Sequence, residues 1–426
     1  MIHPYRILER KRAGLPLAEA EIREVVRGAA DGSWSEGQLA AFLMAAAIRG
    51  LDEDETRALT LAMLESGERW YLARDVPTLC DKHSTGGVGD KTSLILPFLL
   101  ASCGLPVSML AGRGLGHSGG TMDKLESIPG IDLELDRRRC LDLIDRCGIA
   151  FGGASSGIAP ADRRLYAIRD ATATVESLPL ITGSILSKKL AMGAAAVVFD
   201  VKVGNGAFLP EIAVARELAH LLVETSRALG TKVSALLTDM NQPLGRWCGN
   251  TAEVMESLEC LAGDGAADLM EVTFRLAEEV SALVGRPLTR AELEGAITTG
   301  RARERFDQWA ALQGADPDWL RSPRLDLAPL EIPLRARRSG RLAHVDTRQL
   351  GMLLIEAGAG RVRPESEIDF GVSLEMKARL GDEIQEGDEL ARLYLRRQDD
   401  RLVRQFEACL TVGDEGTAPD LFPAHA

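Results

Sequence analysis

Two glycine-rich turns between Cys80 and Gly130 carry the residue types that bind a small anion. Each turn follows a short apolar run and mixes glycines with hydroxyl-bearing and basic side chains. Backbone N–H groups freed by glycine, a helix N-terminus and cationic side chains together form an anion site. The two turns therefore predict an oxyanion held from two sides. Their polar residues are Lys82, His83, Ser84 and Thr85 in the first turn and Arg113, His117, Ser118 and Thr121 in the second.

Neither turn carries a convincing nucleotide motif. A P-loop needs GxxxxGK[ST], but here Asp90 precedes Lys91, and Thr85 stands where the first glycine belongs. Residues 114–119 do fit GxGxxG, yet the next segment reaches Pro129 after about two turns, too short for the helix of a βαβ unit. No HExxH or similar ligand cluster occurs among the six histidines, so metal-dependent hydrolysis also lacks support.

The composition indicates a globular protein of more than one domain. With 426 residues the chain exceeds one ordinary core, so two or three domains are expected. A net charge of −13 disfavours nucleic acid or an anionic membrane as the main partner, and a basic pocket in such a chain indicates a small anionic ligand. The seven scattered cysteines contain no CxxC pair, which indicates reduced thiols; the cytoplasm is the expected compartment.

The secondary-structure pattern of the elements that must position these turns changes along the chain. Apolar residues recur at helical spacing in the first 70 residues, with Ser35 as a predicted N-cap and Gly50 as a stop. From Val76 short β-like runs alternate with helices, which is typical of an α/β layer with mostly parallel strands. Between two strands lies a further helical stretch that is broken at Pro179. The predicted strands are PVSML, GIAFGG, AAAVVFDVKVG and VSALLTDMN.

These patterns predict a small all-α domain, a large α/β domain with a mostly parallel mixed sheet, and a C-terminal α+β module. The helical domain is expected from segments 1–70 and 159–194, and the anion-binding α/β domain from 71–158 and 195–330. The C-terminal module, 331–426, alternates β-like runs with turn glycines. A cleft between the helical lobe and the α/β lobe is where we expect a substrate to be enclosed.

Four motifs closely resemble those of the thymidine and pyrimidine-nucleoside phosphorylase family: KHSTGGVGD, AGRGLGHSGGTMDKLESIPG, YAIRD and SILSKK. The likeness covers essentially the whole chain. It implies a pentosyltransferase that cleaves a pyrimidine nucleoside with inorganic phosphate, giving free base and an α-pentose 1-phosphate. Phosphate is then a co-substrate and no cofactor is expected. The resemblance also implies a homodimer of three-domain subunits, and the alanine-rich faces of the helical domain suit its interface.

The resemblance assigns phosphate binding to four side chains. Phosphate is a poor nucleophile in water and needs positioning and partial desolvation beside the anomeric carbon. A lysine supplies charge for this and hydroxyl groups donate hydrogen bonds, although any one hydroxyl can instead cap a helix or satisfy a turn. The four residues are Lys82, Ser84, Ser93 and Thr121.

By the same resemblance, residues of the helical lobe bind the pyrimidine and His83 donates a proton to its ring. The base departs with negative charge, so donors near its carbonyl oxygens lower the barrier. The ordinary pKa of a histidine suits general acid work. The catalytic residues are then His83, Arg169 and Lys188. The residues assigned to the base and nucleoside are Leu115, Tyr166, Arg169, Ser184 and Lys188, although Leu115 and Tyr166 can equally be packing residues.

Four positions depart from the family or select within it. Ala111 stands where a serine usually begins the second turn and touches phosphate, which predicts weaker phosphate binding. Gly153 and Ala154 replace a glutamine–threonine pair of some relatives. Met109 aligns where thymidine-selective relatives tend to have methionine and broader enzymes lysine, which favours thymidine as the substrate.

A further departure is Lys91, which lies near a potassium site of the relatives. There the family uses backbone oxygens and an acid that aligns with Glu256. The ammonium group of Lys91 either replaces the monovalent cation or points to solvent, and no other metal is expected. The residues of this cation region are Gly89, Lys91, Leu244, Trp247 and Glu256.

Other functions stay open on the sequence alone. One is a phosphorylase for a different nucleoside. A second is a phosphoribosyltransferase-like enzyme with a pentose diphosphate donor, which needs magnesium and an acidic pair such as Asp90 and Asp123. A third is a nucleoside or phosphate sensor without turnover, against which the joint presence of a proton donor and of ligands for both substrates argues.

Overall fold

The computed structural model describes residues 3–114, 116–155, 157–361 and 366–423, and of Ala154 it describes the backbone alone. Its helices are α1 Pro4–Arg12, α2 Glu19–Asp31, α3 Glu36–Arg49, α4 Glu53–Glu65, α5 Leu96–Ser102, α6 Thr121–Leu125, α7 Arg137–Cys147, α8 Pro160–Ala171, α9 Leu178–Met192, α10 Ile212–Ala228, α11 Asn250–Ala262, α12 Ala267–Leu283, α13 Arg290–Thr298, α14 Arg301–Leu312, α15 Pro317–Arg321, α16 Thr347–Leu354 and α17 Asp400–Ala408. Its strands are β1 Cys80–Ser84, β2 Val107–Ala111, β3 Glu134–Leu135, β4 Ile149–Ala154, β5 Ala196–Val203, β6 Lys232–Asp239, β7 Trp247–Cys248, β8 Leu330–Arg335, β9 Gly340–Val345, β10 Ser373–Met376, β11 Glu383–Ile384, β12 Glu389–Leu395 and β13 Leu410–Gly413.

Helices α1 to α4 form one lobe around an aliphatic and aromatic core. The predicted cap of α3 is confirmed, because the Ser35 side chain accepts a backbone N–H bond and Gly50 follows the last helical residue. Helix α1 lies within the predicted helical segment, although its charged residues hide an amphipathic pattern; it buries Ile7 and Lys11. A buried ion pair of 2.8 Å between Lys11 and Glu55 ties α1 to α4.

The core of this lobe is completed from a distant part of the chain. Side chains of α8 and α9, among them Leu165 and Leu180, lie buried in the same cluster as those of α1 to α4. Pro179 does not break a helix, which differs from the sequence interpretation. It lies in the first turn of α9, where a missing N–H costs no hydrogen bond, and the break precedes it at residues 172–177.

The second lobe is built on a six-stranded sheet of order β3-β4-β2-β1-β5-β6. All pairings among these described strands are parallel, so the expected mixed sheet is fully parallel. The four predicted strands are confirmed as β2, β4, β5 and β6. The chain runs from β1 to β2 on one side and returns to β5 on the other, so the order reverses at β1. Ligands of parallel sheets bind beyond the carboxyl ends of the strands at such a reversal.

The C-terminal module contains two antiparallel sheets, of order β7-β10-β12-β8 and β11-β9-β13. Strand β7 follows β6 in the α/β part of the chain but pairs with β10, so the module shares a sheet with the α/β lobe. The stretch RSGRLAHVDTRQLG is only half β-structure, because Asp346 caps α16 within it. None of the helices in the four described ranges combines the length and apolar composition that crossing a bilayer requires.

Three chain connections join the two lobes, and we call them the interlobe joint: residues 66–75, 157–160 and 191–195. Tyr71 and Ala159 adopt left-handed backbone conformations with φ of 48° and 44°, which residues with a Cβ rarely do. The connections therefore meet at strained and closely packed points. Their mutual hydrogen bonds are Glu68 N–H to Gly157 O at 2.9 Å, Trp70 N–H to Ala191 O at 2.7 Å and Ala73 N–H to Gly193 O at 2.9 Å.

Candidate active site

A cleft with a cavity of about 350 Å³ lies between the lobes, beyond the carboxyl ends of β1 and β2. Side chains of the α/β lobe form one wall, and α8 and α9 form the other. The structure brings together nearly all site residues that the sequence predicts. Those lining the cleft are Lys82, His83, Ser84, Ser93, Thr121, Tyr166, Arg169, Ser184 and Lys188. The remaining one, Leu115, lies outside the described residues.

The first set of predicted ligands lies at a strand end and not, as the sequence suggests, in a turn. Lys82, His83 and Ser84 are the last three residues of β1, and each pairs with a residue of β5. The sequence pattern misses β1 because these polar side chains hide its apolar character. A central parallel strand fixes its last residues firmly, so the cleft receives them in a defined geometry.

The Lys82 ammonium is buried at the base of the cleft, where its side chain is 1% exposed. Its Nζ donates to Thr92 Oγ1 at 2.6 Å and to Ser93 Oγ at 3.1 Å. Burial lowers the pKa of Lys82, while the nearby carboxylates of Asp90 and Asp200 oppose this shift. The ammonium group thus lies in a dry site, where an anion interacts with it more strongly than in water.

Lys82 belongs to a buried cluster of charges that sequence reasoning missed. Asp200 Oδ2 lies 3.3 Å from Lys82 Nζ and 2.9 Å from Lys202 Nζ. Burial disfavours the charge of Asp90, yet Lys202 and Lys82 hold the pKa of this carboxyl well below its ordinary value. Asp90 also accepts a hydrogen bond from the Ser84 hydroxyl. The available signal was the pair of charges, Asp200 and Lys202, that interrupts the apolar run of β5.

His83 faces the cleft as a neutral imidazole. Burial, followed by the positive charges of Lys189 and Lys82, lowers its pKa well below the usual value of 6.5. Its ring packs edge-on against Phe199, with 6.5 Å between the centroids. The ordinary histidine pKa that the sequence interpretation assumed therefore does not hold in this site. A neutral ring can still donate an N–H hydrogen bond to a ligand.

The second glycine turn, of which the structure describes residues 112–114 and 116–120, forms the other side of the α/β wall. Its two limbs touch backbone to backbone, because a Cβ on Gly120 would lie 2.0 Å from Gly114 N. Asp123 Oδ2 accepts the Gly114 N–H at 2.6 Å and holds the limbs together. Ala111, the last residue of β2, presents only a methyl group to the cleft. His117 does not line the cleft; its Nε2 lies 2.8 Å from Gly206 O.

Arg169 projects from α8 and organises the opposite wall. Its guanidinium donates to the carbonyl oxygens of Thr174 at 3.3 Å, Leu180 at 3.1 Å and Val175 at 2.6 Å. It forms no ion pair with a carboxylate in the part of the chain that the structure describes. Burial lowers its pKa, with Asp162 opposing. The side chain is 2% exposed and therefore shapes the link between α8 and α9 as well as lining the cleft.

Lys188 is the more accessible cation of this wall. Its Nζ forms an ion pair with Asp162 and donates to Ser184 Oγ at 3.1 Å. Asp162, which the sequence interpretation did not name, is 6% exposed at its side chain and lies in the first turn of α8. Tyr166 lies one turn further along α8, with the Arg169 guanidinium 5.4 Å from the centre of its ring.

The Lys91 side chain does not point to solvent. It is fully buried, with its Nζ 2.8 Å from Glu256 Oε2 and 2.7 Å from the Leu244 carbonyl oxygen. Burial opposes its charge, but Glu256 and Glu253 raise the pKa of Lys91 above its ordinary value. A carboxylate and a carbonyl oxygen thus coordinate an ammonium group. Across the described ranges, no group of three or more His, Cys, Asp or Glu side chains is arranged to hold a metal ion.

The cleft combines two kinds of surface that face each other. The α/β wall offers a buried ammonium, hydroxyl groups and glycine N–H groups, which suit a tetrahedral oxyanion. The helical wall offers a guanidinium, an ammonium and a hydroxyl group, which suit carbonyl oxygens that gain negative charge. An anion and a polar ring bound side by side could react between the walls.

Family models match the chain in three consecutive parts. Residues 5–67 match the helical bundle domain of a glycosyl transferase family, and residues 76–303 match the a/b domain of that family. Residues 342–413 match the pyrimidine nucleoside phosphorylase C-terminal domain. Among solved structures, anthranilate phosphoribosyltransferase from Thermus thermophilus covers 72% of this chain, and 99% of its own, with a TM-score of 0.59 and 20% identity, which shows a shared fold.

Curated relatives match over nearly the full length. The thymidine phosphorylase of Agrobacterium fabrum is 44% identical over 98% of this chain and 97% of its own. The thymidine phosphorylase of Rhizobium meliloti is 43% identical over 97% of this chain and 96% of its own. The pyrimidine-nucleoside phosphorylase of Staphylococcus aureus (strain USA300) is 39% identical, with 97% of both chains covered. With the domain matches and the two-walled cleft, these similarities establish that the chain belongs to the thymidine and pyrimidine-nucleoside phosphorylase family.

Proposed function

We propose that this protein catalyses the reversible phosphorolysis of a pyrimidine nucleoside, with thymidine as the favoured substrate. A phosphate oxygen attacks the anomeric carbon while the bond from that carbon to the ring nitrogen breaks. The bonding electrons leave with the base, and the proton that hydrogen phosphate loses on becoming an ester neutralises the base. The products are the free base and an α-pentose 1-phosphate, because attack occurs on the face opposite the base.

The observation that carries this proposal is that the α/β wall, which suits an oxyanion, faces the helical wall, which suits a pyrimidine, across one cleft. Lys82 and the hydroxyls of Ser84, Ser93 and Thr121 hold phosphate on the α/β side. Burial of Lys82 supports this role, because a desolvated ammonium both binds the anion and removes part of its hydration. Phosphate is the co-substrate, and the proposed bond changes need no cofactor.

On the base side, Arg169, Ser184 and Lys188 donate to the carbonyl oxygens and ring of the pyrimidine. Three carbonyl oxygens orient the Arg169 guanidinium, and Asp162 with Ser184 orients Lys188. Preorganised donors stabilise the departing anion without reorganisation during the reaction. Tyr166 packs beside Arg169 on this wall.

His83 enters the reaction as a neutral ring. Bound phosphate carries negative charge next to Lys82, and the departing base gains negative charge, so both raise the pKa of His83 as the reaction proceeds. The His83 N–H then stabilises the base and supports its protonation. The low pKa of His83 in the free enzyme therefore describes the resting state and not the state that supports proton donation.

Met109 supports the choice of thymidine. Its side chain lines the cleft and is 2% exposed, so this wall offers a thioether to the bound nucleoside where a lysine would offer charge. An apolar contact suits a methylated pyrimidine.

The test is release of free base from a panel of nucleosides with phosphate and no added metal. Thymidine is expected to react with the highest kcat/KM, followed by other pyrimidine nucleosides. Arg169→Lys keeps the positive charge but loses the fork that binds three carbonyls, so base release should fall at least tenfold. Release from purine nucleosides alone, or no release, would overturn the proposal.

A phosphoribosyltransferase activity is less well supported by the site. That chemistry needs magnesium on free carboxylates. Asp90 faces Lys202 and Lys82, and Asp123 pairs with Arg361 and Arg113. An assay arm with a pentose diphosphate, free base and magnesium distinguishes the two activities, and we expect no product in it.

We also propose that Lys91 acts as an internal monovalent cation. Its ammonium group takes one carboxylate oxygen and one backbone carbonyl oxygen, which are ligands typical of a bound alkali ion. Two glycines allow close packing around this ammonium group. A Cβ on Gly89 would lie 3.0 Å from Leu244 O, and a Cβ on Gly245 would lie 3.0 Å from Lys91 Nζ. The first glycine turn is then fixed to the segment before β7 without an ion.

Activity measured with potassium or with choline as the only monovalent cation tests this idea. The native protein should be equally active in both. Lys91→Ala leaves Glu256 without a counter-charge, so activity should drop in choline and recover with potassium. Lys377→Ala, which removes a partly exposed lysine, should behave like the native protein. Strict potassium dependence of the native protein would contradict the proposal.

A further inference from the structure

The C-terminal module contacts the second glycine turn through one side chain. Arg361 reaches α6, where its guanidinium forms an ion pair with Asp123 and lies 3.5 Å from Glu126 Oε2. Asp123 is 4% exposed, so this is a largely buried charge pair between two parts of the fold. Arg361 itself does not line the cleft.

Asp123 links Arg361 to the second glycine turn. Its Oδ2 accepts the Gly114 N–H at 2.6 Å, while its Oδ1 takes the Arg361 guanidinium and, at 3.3 Å, Arg113 Nη1. Gly114 packs directly on Gly120, which precedes the cleft residue Thr121. A change in the orientation of this one carboxylate therefore moves both limbs of the turn.

Removing Arg361 would leave Arg113 as the one cationic partner of Asp123 among the described residues. Arg113 is 54% exposed and holds Glu126 bidentately at 2.6 and 2.8 Å, so it is poorly placed to replace the lost charge. A nearly buried carboxylate without adequate compensation reorients or takes up a proton. In either case its bond to the Gly114 N–H weakens.

A second contact of the module supports the same turn from behind. Gly351 on α16 packs against His117, because a Cβ on Gly351 would lie 2.3 Å from the His117 carbonyl oxygen. The C-terminal module thus touches the turn directly at His117, and Arg361 is linked to Gly114 through Asp123. The turn is held between α6 and this module.

We propose that Arg361 is a positioning residue for phosphate: through Asp123 it sets the shape of the second glycine turn. The C-terminal module then contributes to phosphate binding without touching the ligand. This inference rests on the proposed phosphorolysis, since it concerns the α/β wall of the same cleft. It assigns no role in base binding, because the ion pairs of Arg361 with described residues, Asp123 and Glu126, lie on the α/β side.

Steady-state kinetics with Arg361→Gln tests the proposal. The phosphate KM should rise on the order of tenfold, the scale of one charge-assisted contact, while the nucleoside KM stays within about twofold. Arg361→Lys should recover part of the loss. Arg396→Gln is the matched control, since it removes an Arg–Asp pair of the same module, with Asp369, that does not touch the turn.

Two further measurements separate positioning from general loss of stability. Phosphate should raise the Tm of the native protein and of Arg396→Gln more than that of Arg361→Gln. In an Asp123→Asn background, Arg361→Gln should cause little additional loss of phosphate affinity, because the two act in series. An unchanged phosphate KM in Arg361→Gln, or equal rises in both KM values, overturns the inference. Absence of base release by the native protein would instead refute the proposed function.

Discussion

At the scale of single residues, Ala111 is a position in the α/β wall that lacks a side-chain donor for phosphate. It ends β2, lines the cleft and offers no hydrogen-bond donor. Ala111→Ser adds a hydroxyl next to the second glycine turn, and a hydrogen bond to a charged group contributes about 1.5–3 kcal/mol. We expect the phosphate KM to fall about tenfold with an unchanged nucleoside KM. A phosphate KM equal to that of the native protein would show that the hydroxyl does not reach the anion.

His83 gives a prediction about pH and stability. Its pKa is below 6.5 in the folded protein, and the unfolded chain therefore binds more protons once the pH falls below that value. Stability should be unaffected by His83 above pH 6.5 and should decrease as the pH falls below it. Thermal unfolding between pH 7.5 and 5 should show a smaller loss for His83→Asn than for the native protein. His220→Asn, at an exposed position, serves as the control and should change nothing.

Individual residues were predictable where they belong to long motifs. Lys82, His83 and Lys188 stand in such motifs, and each lines the cleft. Their surroundings were not predictable, because the pKa of His83 depends on Lys189, and Lys188 depends on Asp162. These neighbours come together only by folding. The roles of the site residues stay predictions until the variants are measured.

At the scale of elements, the interlobe joint decides how the walls meet. The proposed phosphate ligands lie on one lobe and the proposed base ligands on the other, so we expect the reaction to need the lobes to approach. The left-handed conformations of Tyr71 and Ala159 concentrate backbone strain in the joint. We infer that closure turns about these connections.

Small-angle scattering checks this closure. Saturating phosphate with an unreactive nucleoside should reduce the radius of gyration of the native protein. Arg169→Ala removes a proposed base ligand, so this variant should remain in the open form under the same conditions. An unchanged scattering envelope of the native protein at saturation would count against a closing cleft.

Most elements followed from hydrophobic spacing, and the exceptions have physical reasons. Strand β5 is apolar enough to be recognised, whereas β1 ends in Lys82, His83 and Ser84 and looks like a turn. Helix α1 is too charged for its pattern to stand out. The pairing of β7 with β10 joins strands far apart in sequence, which spacing along the chain cannot reveal.

At the scale of the whole molecule, we propose that two subunits associate through the helical lobe. Large apolar side chains are exposed on α1, the loop after it, and α3, which fits a surface covered by a second copy. Ile48→Glu should convert a dimer into a monomer in light scattering after size exclusion. Met352→Glu, at an exposed position on α16, should leave the dimer intact. A native protein that elutes as a monomer would refute this arrangement. The exposed side chains are Tyr5 at 62%, Leu15 at 49%, Met44 at 40% and Ile48 at 71%.

The divided core of the helical lobe also governs the order in which the chain can fold. Helices α1 to α4 leave the ribosome first, but Leu165 and Leu180, which complete their core, are synthesised only after four strands of the parallel sheet. Domains usually fold as units in the order of synthesis. Here the first helices must wait with an apolar face uncovered while the sheet begins to assemble. The nascent chain is therefore a natural client for chaperones that shield apolar surface during translation.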